Sequence, residues 1–215
     1  MKIRLLPVPS APVRKLSEEL ADLRVRAGTG PITLREVIYL LGGRAYLLLV
    51  LLLALPFITP IPLPGLSVPF GLAIVLISLR LSLGQRPWLS KKLQRKELPA
   101  GFIAKVFRVA EKVLLFLEKF LRPRLTFLTD TPLLRQLHAI LMLAAALALL
   151  LPLPIPFTNS FPAWTILLVA AGLLERDGVF VLAGYVVFAA GVLYFVFLGE
   201  AAVQLVQAAA EWLRR

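Results

Sequence analysis

The sequence predicts an all-α integral membrane protein, and three observations support that fold class. Hydrophobic residues make up 59% of the 215 positions, and the mean hydropathy is +0.85. Charged residues make up only 17%, whereas soluble domains carry roughly 25%. The charges also fall in blocks, which leaves three charge-free runs at residues 45–79, 136–174 and 178–199. Charge-free runs of this length are typical of segments inside a lipid bilayer.

Prolines interrupt the first two runs, and the interruptions predict hairpins. The first run contains LPFITPIPLPGLSVPFG and the second contains PLPIPFTNSFP. Proline removes a backbone hydrogen bond and clashes with the preceding turn. The helical pieces beside the first break, 45–55 and 66–79, are shorter than the roughly 20 residues that a spanning helix needs. We therefore expect two proline-broken, re-entrant-like hairpins, or half-helices that meet near the bilayer midplane, rather than ordinary two-helix hairpins.

The two breaks also predict an internal repeat. Three alternating prolines recur at an offset of 92, and the Ser-x-Pro motif that follows them recurs at an offset of 93. Two matches in register favour repetition over chance, and transporters often place a site between such repeats. We expect a pseudo-two-fold axis, although hydropathy leaves open whether the repeats are inverted or parallel. The helix-breaking residues are Pro60, Pro62, Pro64, Gly65, Pro152, Pro154 and Pro156.

These features divide the chain into five parts. The third run predicts one full transmembrane helix, and amphipathic helices are expected to flank the membrane segments. The helix expected at 102–120 either lies on the membrane surface or spans it by burying its charges inside the protein. The parts are a cytoplasmic lead with a short amphipathic helix (1–32), membrane repeat 1 (33–83), a basic cytoplasmic or interfacial linker with an amphipathic helix (84–135), membrane repeat 2 with the transmembrane helix (136–199) and an amphipathic C-terminal tail (200–215).

The net charge of +12 comes from basic blocks beside the membrane segments. Residues 1–44 hold eight Lys and Arg, and residues 84–135 hold twelve. The positive-inside rule places both blocks in the cytoplasm, where they attract anionic lipid. Basic blocks that flank apolar runs indicate the lipid bilayer as a partner and argue against nucleic acid. Candidate contacts with lipid phosphates and headgroups are Arg86, Trp88, Arg122 and Arg124.

Polar residues beside the breaks form the first candidate site. Ser67 and Ser160 each precede a proline by two positions, which is typical of a helix start capped by serine. A helix that starts inside the membrane presents N–H groups and a positive dipole end to a ligand. We therefore predict a central polar site near the midplane that accepts a small anion or a lipid-linked phosphate. Its residues are Ser67, Thr158, Asn159 and Ser160, and Arg80 either joins them or extends to the headgroups.

Ionisable residues form a second candidate site. Glu175, Arg176 and Asp177 lie between two apolar runs. At the membrane surface they would form a solvated turn, whereas at depth they would have to pair and would form an ion relay. His138, the only histidine, either packs at the interface or handles protons.

Several stretches of the chain resemble the exopolysaccharide-synthesis ExoD family of bacterial membrane proteins. They are LLALPFITPIPLPGL, LGQRPWLSKKL, RPR at 122–124, PIPFTNSFPA and GLLERDG. The resemblance implies a multi-pass protein of the bacterial inner membrane that is connected with exopolysaccharide production and, in some bacteria, with alkali tolerance. It implies no particular reaction.

Three functions are compatible with these features. The first is a small transporter or flux pathway for an anion or a phosphate-bearing lipid intermediate. The second is a proton- or cation-coupled exchanger, and the third is a scaffold for polysaccharide enzymes that transports nothing. The sequence contains no Gly-rich phosphate loop, no cluster of metal ligands and no cysteine, so we predict neither an enzyme nor a metal or other cofactor. A homodimer is left open.

Overall fold

A computed structural model of the protein describes residues 32–33, 44–59, 65–85, 97–98, 108, 111–113, 115–116, 118–151 and 155–213. Its helices are α1 (Arg44–Ala54), α2 (Ser67–Ser82), α3 (Thr126–Asp130), α4 (Pro132–Leu149), α5 (Ser160–Glu175) and α6 (Gly178–Leu213). Two very short strands, β1 (Ile32–Thr33) and β2 (Glu97–Leu98), pair antiparallel. Apart from that strand pair, the predicted all-α fold is confirmed for the part of the chain that the structure describes.

Two helices have the length and composition of membrane spans. They are α4 over its whole length and α6 over Gly178–Ala201. The other apolar helices, α1 with its short extension, α2 and α5, are shorter. The first part of α6 is therefore a helix with the length and composition predicted for the third run. The amphipathic helix expected within 1–32 lies outside the described residues, and the one expected at 102–120 is described only at scattered helical positions.

The helices stop on either side of both proline segments. A 3-10 turn, Leu55–Phe57, extends α1, and α2 begins at Ser67. Gly65 lies just before that start with a φ of 83°, a conformation that glycine adopts at no steric cost. In the second hairpin Phe157 has a φ of 67° before α5 begins. Pro60, Pro62, Pro64, Pro152 and Pro154 lie outside the described residues.

Four helices pack in a ring around an apolar core. α1 packs on α5, α5 on α4, α4 on α2 and α2 on α1, so α2 and α5 stand at opposite corners. α6 packs on the outside of α5, and α3 packs on α4. Small residues allow the close approach of α4 and α5. The buried core includes Val50, Leu51, Ala54, Ile74, Met142, Ala145, Ala146, Leu149, Ala163, Ile166, Val169 and Ala170.

Both breaks lie at the same end of this ring. Gly71, near the start of α2, faces Leu150 at the end of α4, while Gly84, after the end of α2, faces Gln136 near the start of α4. α2 and α4 are therefore antiparallel. The start of α5 is bonded to Thr59, just after α1 ends. It follows that the two hairpins point in the same direction, which the sequence had left open. We call the end that carries both breaks the break end.

α5 and α6 form an antiparallel pair that approaches closely at three glycines. A Cβ added at Gly184 would lie 2.5 Å from Val169 Cγ2, and one added at Gly191 would lie 2.9 Å from Phe161 Cβ. Both distances are too short for real contacts. The same is true of Gly172, where the nearest atom, the Asp177 carbonyl oxygen, would be 2.7 Å away. Glycine is therefore required by the packing at these positions.

We expect Gly184→Val to lower the unfolding free energy by about 1–3 kcal/mol, because the added methyl groups overpack the contact between α5 and α6. Gly199→Val is the matched control, since a Cβ at that position on the same helix meets nothing within 4 Å. Thermal unfolding in detergent, followed by circular dichroism, measures both. Equal melting temperatures for the two variants would contradict the close packing.

Candidate functional site

The two broken segments are bonded to each other at the break end. The Ser160 hydroxyl donates to the carbonyl oxygen of Thr59 at 2.9 Å. One turn along α5, the Trp164 indole N–H donates to the carbonyl oxygen of Ile58 at 3.1 Å. Both carbonyls follow the end of a helix, where the helix itself supplies no partner. Side chains of the second hairpin thus satisfy the broken backbone of the first.

The second broken segment is satisfied in a similar way. The Thr158 hydroxyl donates to the carbonyl oxygen of Ile155 at 2.7 Å, and the Tyr194 hydroxyl of α6 donates to that of Pro156 at 2.8 Å. Thr158 and Ser160 are both buried. These bonds explain how an interrupted backbone is tolerated among apolar helices.

Asn159 is the exception at this end. Its side chain is 9% exposed, and its Oδ1 atom is buried without a hydrogen-bond partner. A buried polar atom without a partner costs about 1–3 kcal/mol. Among the described residues, the only other buried side-chain polar atom in this state is Ser78 Oγ, in the interior of α2. Asn159 therefore stands out as the group at the break end that is left for a ligand.

The predicted helix starts are present, but the predicted capping role of the serines is wrong. α2 and α5 begin at Ser67 and Ser160 and are both 16 residues long. The N-cap positions, however, are Leu66 and Asn159, whose backbones are helical, and neither side chain makes a capping hydrogen bond. The hydroxyl of Ser160 is used by Thr59 instead.

The described N–H groups at the start of α5 argue against the predicted anion site, which stays a prediction. The N–H groups of Ser160 and Phe161 both donate to the carbonyl oxygen of Phe157, at 3.0 and 3.2 Å. Pro162 has no N–H, and that of Ala163 donates to the carbonyl oxygen of Asn159 at 3.1 Å. The turn before α5 thus supplies the acceptors that an anion would replace.

Arg80 does not belong to the break end. It follows Ser67 by 13 residues on α2, which is about 20 Å of helix. Its Nη1 donates to Oε1 of Gln85 at 3.1 Å. Ser67 is buried at the start of α2, at the corner opposite α5. Of the predicted site, only Thr158, Asn159 and Ser160 therefore lie together.

The site lies off the middle of the apolar span. Tyr194, which contacts the second break, follows Gly178 by 16 residues, or about 24 Å of helix. The charge-free run 178–199 has its middle near residue 188, so the break lies about 8 Å beyond that middle. This distance is measured along α6 and not against a bilayer, so the predicted location at the midplane stays a prediction.

Asp177 belongs to a structural turn at the opposite end of the ring. It is fully buried. Its Oδ1 accepts from the N–H of Val179 at 3.0 Å, and its Oδ2 accepts from the N–H of Arg122 at 3.0 Å. The N–H of Gly178 donates to the carbonyl oxygen of Arg124 at 2.7 Å. Asp177 thus caps α6 and fastens the preceding segment to it.

The neighbours of Asp177 are less buried. Arg176 ends α5 with a φ of 58°, and its Nε donates to Oδ1 of Asp130 at 2.9 Å. This ion pair is 35% and 38% exposed on its two sides. Glu175 is half-buried in the last turn of α5. An ion relay stays a prediction for these residues. The burial and bonds of Asp177 give it a structural role, which differs from the solvated turn expected as the alternative.

The predicted lipid contacts also lie at this end, as far as the structure describes them. Arg122 and Arg124 are exposed beside the buried Leu121, and Arg86 and Trp88 lie outside the described residues. Their contact with lipid stays a prediction.

His138 has a partner that the sequence analysis missed. It is 3% exposed, with Nδ1 at 3.0 Å from the Tyr185 hydroxyl and Nε2 at 3.0 Å from the carbonyl oxygen of Leu128. A carbonyl only accepts, so Nε2 carries the proton and Tyr185 donates to Nδ1 in the neutral ring. Tyr185 is 47 positions away in the chain, and only the packing of α4 against α6 brings it near.

We expect His138→Leu to destabilise the protein more than Tyr185→Phe. The first change leaves both the Leu128 carbonyl and the Tyr185 hydroxyl without a partner, at about 1–3 kcal/mol for each buried group. The second leaves only one ring nitrogen unpaired. Thermal melting of both variants in detergent tests this order, and a smaller loss for His138→Leu would contradict the arrangement.

Comparison with known proteins identifies the family. The family model described as "Exopolysaccharide synthesis, ExoD" matches residues 16–197. The chain belongs to the ExoD family. It is 37% identical over 190 residues to "Protein ExoD" of Rhizobium meliloti, covering 88% of this chain and 79% of that relative. It is also 29% identical over 208 residues to an uncharacterized protein of Synechocystis sp., covering 93% and 96% of the two chains. A comparison with solved structures gives no match.

The ExoD match includes the whole ring and both breaks. It runs from residue 16 to residue 197. It therefore contains α1 to α5 in full and the part of α6 up to residue 197, which includes Tyr194. The residues at the break end, Thr158, Asn159 and Ser160, therefore lie inside the part of the chain that defines the ExoD family.

Proposed function

We propose that this protein supports exopolysaccharide synthesis from within the bacterial inner membrane, as a small transporter or flux pathway for an anion or a phosphate-bearing lipid intermediate. Membership of the ExoD family and the two candidate spans support its setting. The observation that carries the proposal of a pathway is the buried, unpartnered oxygen of Asn159 between two interlocked breaks. A purely structural break would have no reason to retain it.

The proposal includes an internal repeat of two parallel hairpins. α2 and α5 have equal length and start at serines 93 positions apart. Four of the seven buried positions of α1 and its extension are also buried in α4 at the offset of 92, among them Tyr46 and His138. The ring order of the four helices is that expected for a pseudo-two-fold axis along the membrane normal, as in transporters with parallel repeats. The protein handles its cargo without covalent chemistry in this proposal.

A proton- or cation-coupled exchanger is the second candidate, favoured by one observation. The hydrogen-bonded pair of His138 and Tyr185 lies on the two helices that have the composition of membrane spans. Ionisable side chains inside such segments are costly to maintain and commonly serve transport. This candidate requires proton flux that depends on His138.

Reconstitution in liposomes separates these functions. We expect flux of a lipid-linked phosphate, or of a small anion, in wild type, and loss of the lipid-linked flux in Asn159→Leu. Ser78→Ala is the matched control, since it changes the other buried unpartnered polar atom without touching the break end. Proton flux that His138→Leu abolishes would support the exchanger instead. No flux of any of the three, together with normal polysaccharide output from cells that carry Asn159→Leu, would contradict both and support the scaffold.

A further inference from the structure

The unpartnered atom at the break end is an acceptor, which restricts what can bind to it. A carboxamide oxygen accepts up to two hydrogen bonds and donates none. Asn159 Oδ1 has no partner although its side chain is only 9% exposed. A ligand that satisfies it must bring a hydrogen-bond donor, such as a hydroxyl group.

Among the residues that the structure describes at this end, other acceptors already have partners. Four backbone carbonyls of the broken segments each accept from a side chain of the protein. The carbonyls belong to Ile58, Thr59, Ile155 and Pro156, and the donors belong to Trp164, Ser160, Thr158 and Tyr194 respectively. A ligand hydroxyl is therefore directed to Asn159.

An anionic group finds little to hold it at the break end. The N–H groups of the first turn of α5 are paired within the protein or absent, and Arg80 is about 20 Å away along α2. The three charge-free runs, 45–79, 136–174 and 178–199, form this end and contain no Lys or Arg. A charged phosphate would therefore be desolvated here without a counter-charge.

Aromatic side chains lie on the same segments at the break end as the free acceptor. Phe157 and Trp164 are 49% and 41% exposed, and the rings of Phe161 and Tyr194 pack at a centroid distance of 5.3 Å. An aromatic side chain offers an apolar face, with a polar handle in Tyr and Trp. The apolar face of a sugar ring stacks on such surfaces, while its hydroxyls bind amide oxygens. The combination of one free amide oxygen with exposed aromatic rings fits a neutral, hydroxylated ligand.

We infer that the break end binds the saccharide part of a membrane-bound intermediate, with the Asn159 carbonyl oxygen accepting a hydrogen bond from a sugar hydroxyl. This inference rests on the proposed function and names the recognised group. It also places recognition at the end of the ring opposite the basic residues Arg122 and Arg124. The phosphate of the same intermediate is not bound at the break end.

A titration of the full-length protein in nanodiscs tests the inference. Trp88→Phe and Trp212→Phe leave Trp164 as the single fluorophore at the site, and lactose and inorganic phosphate are the probes. We expect a saturable change in fluorescence with lactose and none with phosphate. Asn159→Leu should weaken lactose binding about tenfold or more, the equivalent of one lost hydrogen bond of about 1.4 kcal/mol.

Asn159→Asp distinguishes the two ligand chemistries and avoids reliance on a single variant. A carboxylate still accepts from a hydroxyl, so lactose binding should persist, whereas a ligand anion would be repelled. Ser78→Ala should bind as wild type does. The inference is overturned by saturable phosphate binding that Asn159→Asp abolishes, by no response to lactose, or by equal losses in Asn159→Leu and Ser78→Ala.

The outcome is separable from that of the proposed function. Flux of a lipid-linked phosphate in liposomes without lactose binding would overturn this inference and leave the function standing. Lactose binding that depends on Asn159, without any flux, would support the inference and contradict the transport function.

Discussion

Asp177→Ala is expected to lower the unfolding free energy by about 3 kcal/mol. The change leaves the N–H groups of Val179 and Arg122 without their acceptors, at about 1–3 kcal/mol for each one that stays buried. The bond to Val179 is also the N-cap of α6, and loss of such a cap costs about 0.5–2 kcal/mol. Because one carboxylate joins two segments, both effects fall on the same turn.

Asp130→Ala provides the comparison for this prediction. It breaks the ion pair with Arg176, which is 35% and 38% exposed, and exposed pairs contribute about 0–1 kcal/mol. Thermal unfolding in detergent should therefore show a small shift for Asp130→Ala and a large one for Asp177→Ala. If the order were reversed, Asp177 would not have the structural role that its hydrogen bonds indicate.

The second large expected effect is a difference in chemical accessibility between the two ends of the helix ring, which we expect on opposite sides of the membrane. The starts of α1 and α4, the end of α2 and the start of α6 all lie at the end opposite the breaks. Both basic blocks adjoin that end, so the positive-inside rule places it in the cytoplasm. α6 then crosses once, and the tail beyond Ala201 is expected on the outer side.

Single cysteines measure this topology directly, because the natural chain contains none. Lys91→Cys should react with a membrane-impermeant maleimide only after the cells are opened. Gln207→Cys, an exposed position on α6, should react in intact cells. The contrast is expected to be all or none. Labelling of both cysteines from the same side would contradict a single crossing of the membrane by α6.

The local signals in the sequence were sufficient to predict where the helices begin. A helix tolerates proline only in its first turn. The Ser-x-Pro motifs therefore predicted that α2 and α5 start at Ser67 and Ser160. The charge-free runs predicted the apolar helices and the span within α6. These predictions succeeded because the formation of an apolar helix depends mainly on residues that are neighbours in the sequence. The family resemblance, drawn from the same proline and Arg-rich stretches, is confirmed.

The features that the sequence analysis missed depend on long-range contacts. The Ser160 hydroxyl bonds to Thr59, 101 positions away, so its local capping pattern was misleading. Phe157 has a left-handed conformation, with a φ of 67°, which brings its carbonyl oxygen to the first turn of α5. Phenylalanine rarely adopts this conformation, so its presence in the sequence did not predict the turn. Arg80 was misplaced for a different reason, since its separation of 13 residues from Ser67 on one helix already corresponds to about 20 Å.

The contact between the two broken segments is the central claim, and a disulfide cross-link tests it most directly. Thr59→Cys with Ser160→Cys, in a chain that carries a protease site within 84–135, should form a disulfide on mild oxidation. The two fragments should then stay together after cleavage until a reductant is added. Disulfides need Cα atoms within about 7 Å, so Thr59→Cys with Glu175→Cys, at the far end of α5, should not cross-link. Equal cross-linking of both pairs, or none in the first, would contradict a single site built from the two breaks.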